Sequence, residues 1–215
     1  MKGLFFLPLF LMVWPGDGRS EFKTTHDVER LISQTSVILP EPVVILSMED
    51  AVARELLAKS RTMNSEQALR TAQTIYELSS RLKRDPLLFI ALIRVESNFN
   101  HLAASPVGAE GLMQVMPPTA RWIANKIGLE WPDGHSFDPV LNVQLGIHYL
   151  DFMIKKFGGH LDHALTAYNR GPENTRYILD HNEGELPLKV HEFYSAKVLR
   201  HYKDLRQEYD HLSIR

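Results

Sequence analysis

Glu96 closes a helical run that is apolar on all sides, Leu87-Leu88-Phe89-Ile90-Ala91-Leu92-Ile93, followed by Arg94-Val95-Glu96-Ser97-Asn98. A helix with no polar face belongs inside a core, so the carboxyl at its end is expected against Leu92, Ile93 and Phe89; from this feature alone, a surface glutamate just past the helix end is the simpler alternative. Those neighbours withhold water from the ionised form, and the negative pole of the helix opposes it as well. A glutamic acid kept protonated near neutral pH is what a general acid needs to protonate a glycosidic oxygen. Glycosidic chemistry commonly takes a second carboxylate. Glu110 in a glycine-rich loop, Asp138 before a helix and Glu173 after a helix stop are the remaining candidates, none in so apolar a setting. One carboxyl suffices where the sugar's own N-acetyl group and hydroxyl supply the rest.

Two further segments carry polar chemistry. In Ser105-Pro106-Val107-Gly108-Ala109-Glu110-Gly111-Leu112-Met113-Gln114-Val115-Met116-Pro117, two glycines three apart let the backbone turn tightly and approach a ligand. Gln114 offers a donor and an acceptor to sugar hydroxyls and amides. Ala167-Tyr168-Asn169, ahead of Arg170-Gly171-Pro172, offers a ring for stacking and a hydroxyl for hydrogen bonding at a helix end. Taken singly, these segments read more simply as an ordinary loop and as a core tyrosine beside a capping asparagine.

Metal chemistry finds little support. His160 and His163 share at most one helix side, and His191-Glu192 starts a zinc-protease-like pattern whose second histidine position is Ser195. No metal or cofactor is expected. The absence of cysteine excludes disulfides, thiolate sites and a cysteine nucleophile. A formal charge of −2 over 215 residues gives no basic surplus for nucleic acid.

The elements that must position these residues are mostly helices. Ser47 with Asp50, and Asn64 with Gln67, are capping pairs, the second opening a face of Ala68, Ala72, Ile75 and Leu78. Asp85-Pro86 and Asp138-Pro139 each supply an N-cap and a first helical proline. Helices are expected over Thr119–Ile127, Val140–Phe157, Leu161–Asn169 and Ser195–Tyr209, and a loop or small hairpin over 101–118. Lys197, Arg200, His201, Lys203 and Arg206 read as a solvated face of the last helix. The fold class expected is mainly α, in an α+β arrangement: a helical domain with a small irregular or β lobe forming a cleft. At the N-terminus, Lys2, the Leu4–Trp14 apolar run and Pro15-Gly16-Asp17-Gly18 read as a signal peptide over 1–18. At about eleven residues the run is short for a bilayer span, and left uncleaved it would serve as an anchor. An N-terminal extension over 19–60 and a domain over 61–207 complete the expected organisation.

In order, Glu96-Ser97, Gly111-Leu112-Met113-Gln114 with Met116-Pro117, and Ala167-Tyr168-Asn169 with Gly171-Pro172 resemble the motifs of the soluble lytic transglycosylase (SLT) family of the lysozyme-like superfamily. Asn142, Gly146 and Tyr149-Leu150 match the family's intervening helix. The resemblance runs from about Asp85 to Tyr202. It implies that Glu96 is the catalytic acid/base and that Ser105, Gln114, Met116, Tyr168 and Asn169 line a glycan cleft, with Tyr194 as a late cleft tyrosine. The family's glutamate four residues before that tyrosine is Val190 in this chain. The implied activity is non-hydrolytic cleavage of the MurNAc–GlcNAc bond of peptidoglycan, in the periplasm. Hydrolysis of the same bond, and a wall-binding scaffold with a dead cleft, are the alternatives; the retained Glu96 argues against the second. The modest size and absence of other modules favour a local gap-opener for an envelope-spanning secretion or conjugation machinery, and a monomer is expected.

Overall fold

The computed structural model describes residues 47–130, 137–187, 189–190 and 194–212, all within the compact unit Ile45–Arg215. The signal-peptide reading of 1–18, the extension as far as 46, and His191-Glu192 lie outside the described residues.

The helices are α1 (Met48–Lys59), α2 (Ser65–Leu82), α3 (Pro86–Glu96), α4 (Pro117–Ile127), α5 (Pro139–Lys156), α6 (Leu161–Arg170), α7 (Pro172–Asp180) and α8 (Ser195–Glu208). Their starts follow the caps. Ser47 accepts from the Asp50 N–H, and Asn64 and Gln67 bond reciprocally as a complete capping box. Asp85 accepts from Leu87 N and Asp138 from Leu141 N, each with proline next. Gly171 and Pro172, expected only to stop α6, also start α7. Gly171 turns the chain at φ 85°, and Pro172 then occupies the first helical position, where a missing N–H costs nothing.

α3 is the central element. Every residue from Pro86 to Ile93 is buried, and α1, α2 and α8 pack against it. Each large apolar side chain enclosed there contributes about 1.5–3 kcal/mol relative to exposure. Asp85 ties its start to α8, accepting from the Tyr202 hydroxyl at 2.8 Å and pairing with Arg206 at 3.4 Å. Arg206 therefore turns inward from the face expected to be solvated. α5 packs on α2, α4 and α6. No helix among the described residues is long and apolar enough to cross a membrane.

The expected β lobe is corrected by the structure. The described residues contain no strand, so the fold is mainly α rather than α+β. Between α3 and α4 there are only two isolated antiparallel bridges, Ala104 with Glu110 and Glu110 with Val115. The reason lies in local competition for backbone groups. Ser105 Oγ takes the Ala109 N–H at 2.9 Å, and the Gln114 amide donates to the carbonyls of Ala103 (3.0 Å) and Gly111 (2.9 Å). Positive φ at Gly108, Gly111 and Gln114 turns the chain after each pairing, so no ladder extends.

Candidate active site

The loop between α3 and α4 is anchored from below by α5. Asn142 accepts from Met113 N (2.8 Å) and donates to the Glu110 carbonyl (2.8 Å). One turn on, Gly146 lies directly beneath Met113, where a Cβ would come within 2.5 Å of its Sδ and 2.7 Å of its Cβ. Glycine is required there for close approach, since its φ is unremarkable. Tyr168 of α6 completes the support, donating its hydroxyl to the Met113 carbonyl at 2.7 Å. One short segment is thus held by three side-chain or backbone features from two helices, and Gln114 follows it.

These contacts frame a cleft of about 400 Å3, within the range of ligand sites. Glu96, Ser105, Gln114, Met116, Tyr168 and Asn169 all line it, together with Val107, Thr119, Tyr149 and Arg170. Tyr194 is not among the lining residues; it stands behind, and its hydroxyl donates to Glu96 Oε1. Tyr168 is nearly buried and packs its ring 5.1 Å from that of Tyr149. Gln114 commits its amide hydrogens to the loop backbone, which leaves its Oε1 to accept from a ligand. Of the donor and acceptor expected at this residue, the acceptor is the one left for a ligand. Asn169 and Met116 are exposed at the rim.

Among the described residues, Glu96 is the only carboxylate lining this cleft. Glu110 spends its backbone on the two bridges, Asp138 caps α5, and Glu173 pairs with Lys156 at the surface. Burial raises the Glu96 pKa from 4.5 to about 7, and the bond from Tyr194, which favours the charged form, holds it from rising further. Burial pushes the hydroxyls of Tyr168 and Tyr194 well above the ordinary tyrosine range, with the nearby Glu96 charge adding to the effect. Both tyrosines are therefore neutral hydrogen-bond donors at physiological pH. The arrangement can hold a proton on Glu96, deliver it into a partly enclosed cleft, and stabilise the resulting carboxylate.

Tyr149 is the cleft residue that the sequence reading matched to a helix without assigning a role. Asn142, Gly146 and Tyr149 are four and then three residues apart, on one helical face, and two of them touch the Met113 segment. That spacing is the signal that would have placed Tyr149 at the cleft. Away from it, the ligating atoms of His160, Asp162 and His163 lie within 4.8 Å of one another at the start of α6, and none of the three lines the cleft.

Comparison with known proteins identifies the same region. A family model, Transglycosylase SLT domain, matches residues 73–186. The soluble lytic murein transglycosylase of Salmonella typhimurium is 37% identical over 101 residues, covering 45% of this chain but 15% of that protein. The transglycosylase of Enterobacteria phage PRD1 is 32% identical over 110 residues, covering 51% of this chain and 38% of that one. Among solved structures, an inactive glutamate-to-glutamine mutant of the lytic transglycosylase Slt from Pseudomonas aeruginosa aligns at TM-score 0.59 and 27% identity, over 66% of this chain and 24% of that one. The 70 kDa soluble lytic transglycosylase of Escherichia coli shares the fold at TM-score 0.53 and 24% identity, over 74% of this chain and 32% of that one. This chain thus spans a small part of the length of the relatives it matches. With the family model covering the helices and loop that build the cleft, the chain belongs to the transglycosylase SLT domain family.

Proposed function

We propose that this protein is a peptidoglycan lytic transglycosylase that cleaves the β-1,4 bond between N-acetylmuramic acid and N-acetylglucosamine without water. The observation that carries the reading is that one carboxyl among the described residues lines the cleft, with a pKa near 7 and a neutral tyrosine hydroxyl bonded to it. Glu96 donates its proton to the glycosidic oxygen. The C1–O bond breaks with its electron pair going to that oxygen, and the cation at C1 is shared with the carbonyl of the sugar's own N-acetyl group. The 6-hydroxyl of the same muramic residue then attacks C1, and Glu96, now the base, takes its proton. Atoms balance with no water consumed, and the product end is a 1,6-anhydro sugar. Tyr194 supports the carboxylate stage, since its hydroxyl bonds the charged form better than the neutral one. Ser105, Gln114, Met116, Tyr168 and Asn169 hold the glycan.

Hydrolysis by the same residue would need water at C1, and a single carboxyl serving both steps favours the internal hydroxyl. Digestion of purified peptidoglycan with mass analysis of the products tests the reading. Products lacking the elements of water relative to the hydrolytic ones are expected; exclusively hydrolytic ends would refute it. The reading places the protein in the periplasm, acting as a monomer on glycan strands through a domain over 61–207, with a role beside a secretion or conjugation machinery.

A further inference from the structure

α5 ends at Lys156 and α6 begins at Leu161. Between them the chain turns on Gly158 and Gly159, both at positive φ. Backbone hydrogen bonds fix the turn: the Gly159 N–H donates to the Ile154 carbonyl at 2.8 Å, and the His160 N–H to the Phe157 carbonyl at 3.1 Å. His160 then occupies the N-cap of α6, its carbonyl accepting from the Ala164 N–H at 2.9 Å. Its side chain makes no capping bond. Serine, threonine, aspartate and asparagine are the residues that cap well, so histidine breaks the local rule at this position. Such breaks concentrate at functional positions.

The spacing of His160 and His163 promised at most a shared helix side. The structure adds that His160 stands outside the helix on a fixed turn, and that Asp162 joins the pair. The ligating atoms of the three side chains lie within 4.8 Å of one another. The two imidazole rings are stacked, with centroids 5.1 Å apart and planes at 28°. Asp162 Oδ2 stands 3.7 Å from His163 Nε2. Neither ring makes a hydrogen bond to another described residue. Asp162 alone would call for no ligand, since an acidic residue in the first turn answers the positive pole of the helix. Two unbonded imidazoles converging on the same carboxylate form a donor set of two nitrogens and one oxygen. Imidazole suits zinc, copper and nickel, whereas calcium and magnesium take cages of oxygen. Tetrahedral donors at about 2.0–2.1 Å from zinc stand about 3.3 Å apart. The side chains therefore have to close by about 1–1.5 Å, a χ rotation that breaks no hydrogen bond. The positive pole of α6 opposes a cation, and the Asp162 carboxylate offsets it. His160 is exposed and the other two are half-buried, so water can fill the remaining coordination positions.

We propose that His160, Asp162 and His163 form a site for one divalent metal ion of the zinc class, which clasps the turn after α5 to the first turn of α6 in place of the missing cap. None of the three lines the cleft, so the site is structural and stands independently of the reaction assigned to Glu96. Its effect reaches α6, whose last turn carries Tyr168 and Asn169.

The test uses the full chain without an affinity tag, cleared of metal by a chelator and titrated with zinc. Saturable uptake of one ion in the micromolar range is expected. Zinc should shift the ring resonances of His160 and His163 and leave those of the other eight of the ten histidines in place. At a hundredfold excess over the dissociation constant, zinc should raise the melting temperature by about 5–10 °C, and calcium or magnesium should not. Losing even a hydrogen-bond partner of a metal ligand costs about 10- to 100-fold in affinity. His160→Ala, His163→Ala and Asp162→Asn, which each remove a ligand, should therefore weaken uptake about tenfold or more. Cooperative melting of each variant without metal shows that it folds, and the wild-type ring shifts decide the matter for any variant that does not. Uptake that never saturates overturns the proposal. So does uptake that folded variants leave unchanged, or ring shifts confined to other histidines.

Discussion

Replacing Glu96 by glutamine separates the proton of this residue from its shape. Glutamine keeps the size and can still accept from Tyr194 through Oε1, so the hydrogen bond seen in the fold survives. What is lost is the transferable proton, and general acid/base catalysis contributes about 10²- to 10⁴-fold in rate. Since one residue serves both proton transfers in the proposed reaction, the loss should reach the upper end of that range or pass it. Stability should move the other way. A carboxyl whose pKa rises from its ordinary 4.5 to about 7 on folding costs about 3 kcal/mol once ionised in the folded state. Glu96 retains some contact with water, so about 1–3 kcal/mol is the expected gain from the uncharged amide.

The sign follows from linkage. The folded-state pKa is raised, so the stability of wild type is fully present below the unfolded value of 4.5 and falls as pH climbs to about 7. Glutamine does not titrate. The two proteins should therefore melt alike at about pH 4, diverge between the two pKa values, and differ by a constant margin at about pH 8, with Glu96→Gln the more stable. At about 2–4 °C per kcal/mol for a chain of this size, the margin is readable by calorimetry. Urea melts at the two pH values and turnover of purified peptidoglycan, on the same preparations, complete the assay. Near-normal turnover by a folded Glu96→Gln protein would remove Glu96 from the mechanism. A stability difference that ignores pH would refute the account of its burial.

Tyr194→Phe removes the hydroxyl that favours the Glu96 carboxylate, so the pKa of Glu96 should rise; a hydrogen bond to a charged group of about 1.5–3 kcal/mol corresponds to a shift of about 1–2 pH units. The alkaline limb of the activity profile should move up accordingly while kcat falls; an unmoved limb would dissociate Tyr194 from Glu96. Tyr168→Phe leaves the Met113 carbonyl without its donor and should lower stability by about 1–3 kcal/mol, as chemical denaturation would show. Phenylalanine is the informative change, since alanine at this nearly buried ring would add a cavity cost of about 3–5 kcal/mol. Gly146→Ala drives a methyl into Met113 and should destabilise by about 1–3 kcal/mol. Its turnover should fall further than its melting temperature explains, because the segment it displaces carries Gln114.

The helix starts were legible because they are local. Ser47, Asn64, Asp85 and Asp138 each close a hydrogen bond within three residues, and such bonds do not wait on the rest of the chain. The raised pKa of Glu96 was legible for a related reason: a helix as apolar as 87–93 has nowhere to go but the core, and its last turn goes with it. The segment before α4 was legible only as a loop or small hairpin, not as one or the other. Whether its backbone pairs as strands or bonds to Ser105, Gln114 and Asn142 is a competition between nearly equal hydrogen bonds, and Asn142 enters it from about thirty residues away along the chain. The sequence by itself determined which residues could serve as acid, platform or cap, because side-chain chemistry and short-range caps travel with the residue. Only the tertiary structure decided that Tyr194 stands behind Glu96 as its donor, that Gln114 presents an acceptor, and that Tyr149 lines the cleft. Those are distances between helices, and helix packing is set by the whole core rather than by any one segment.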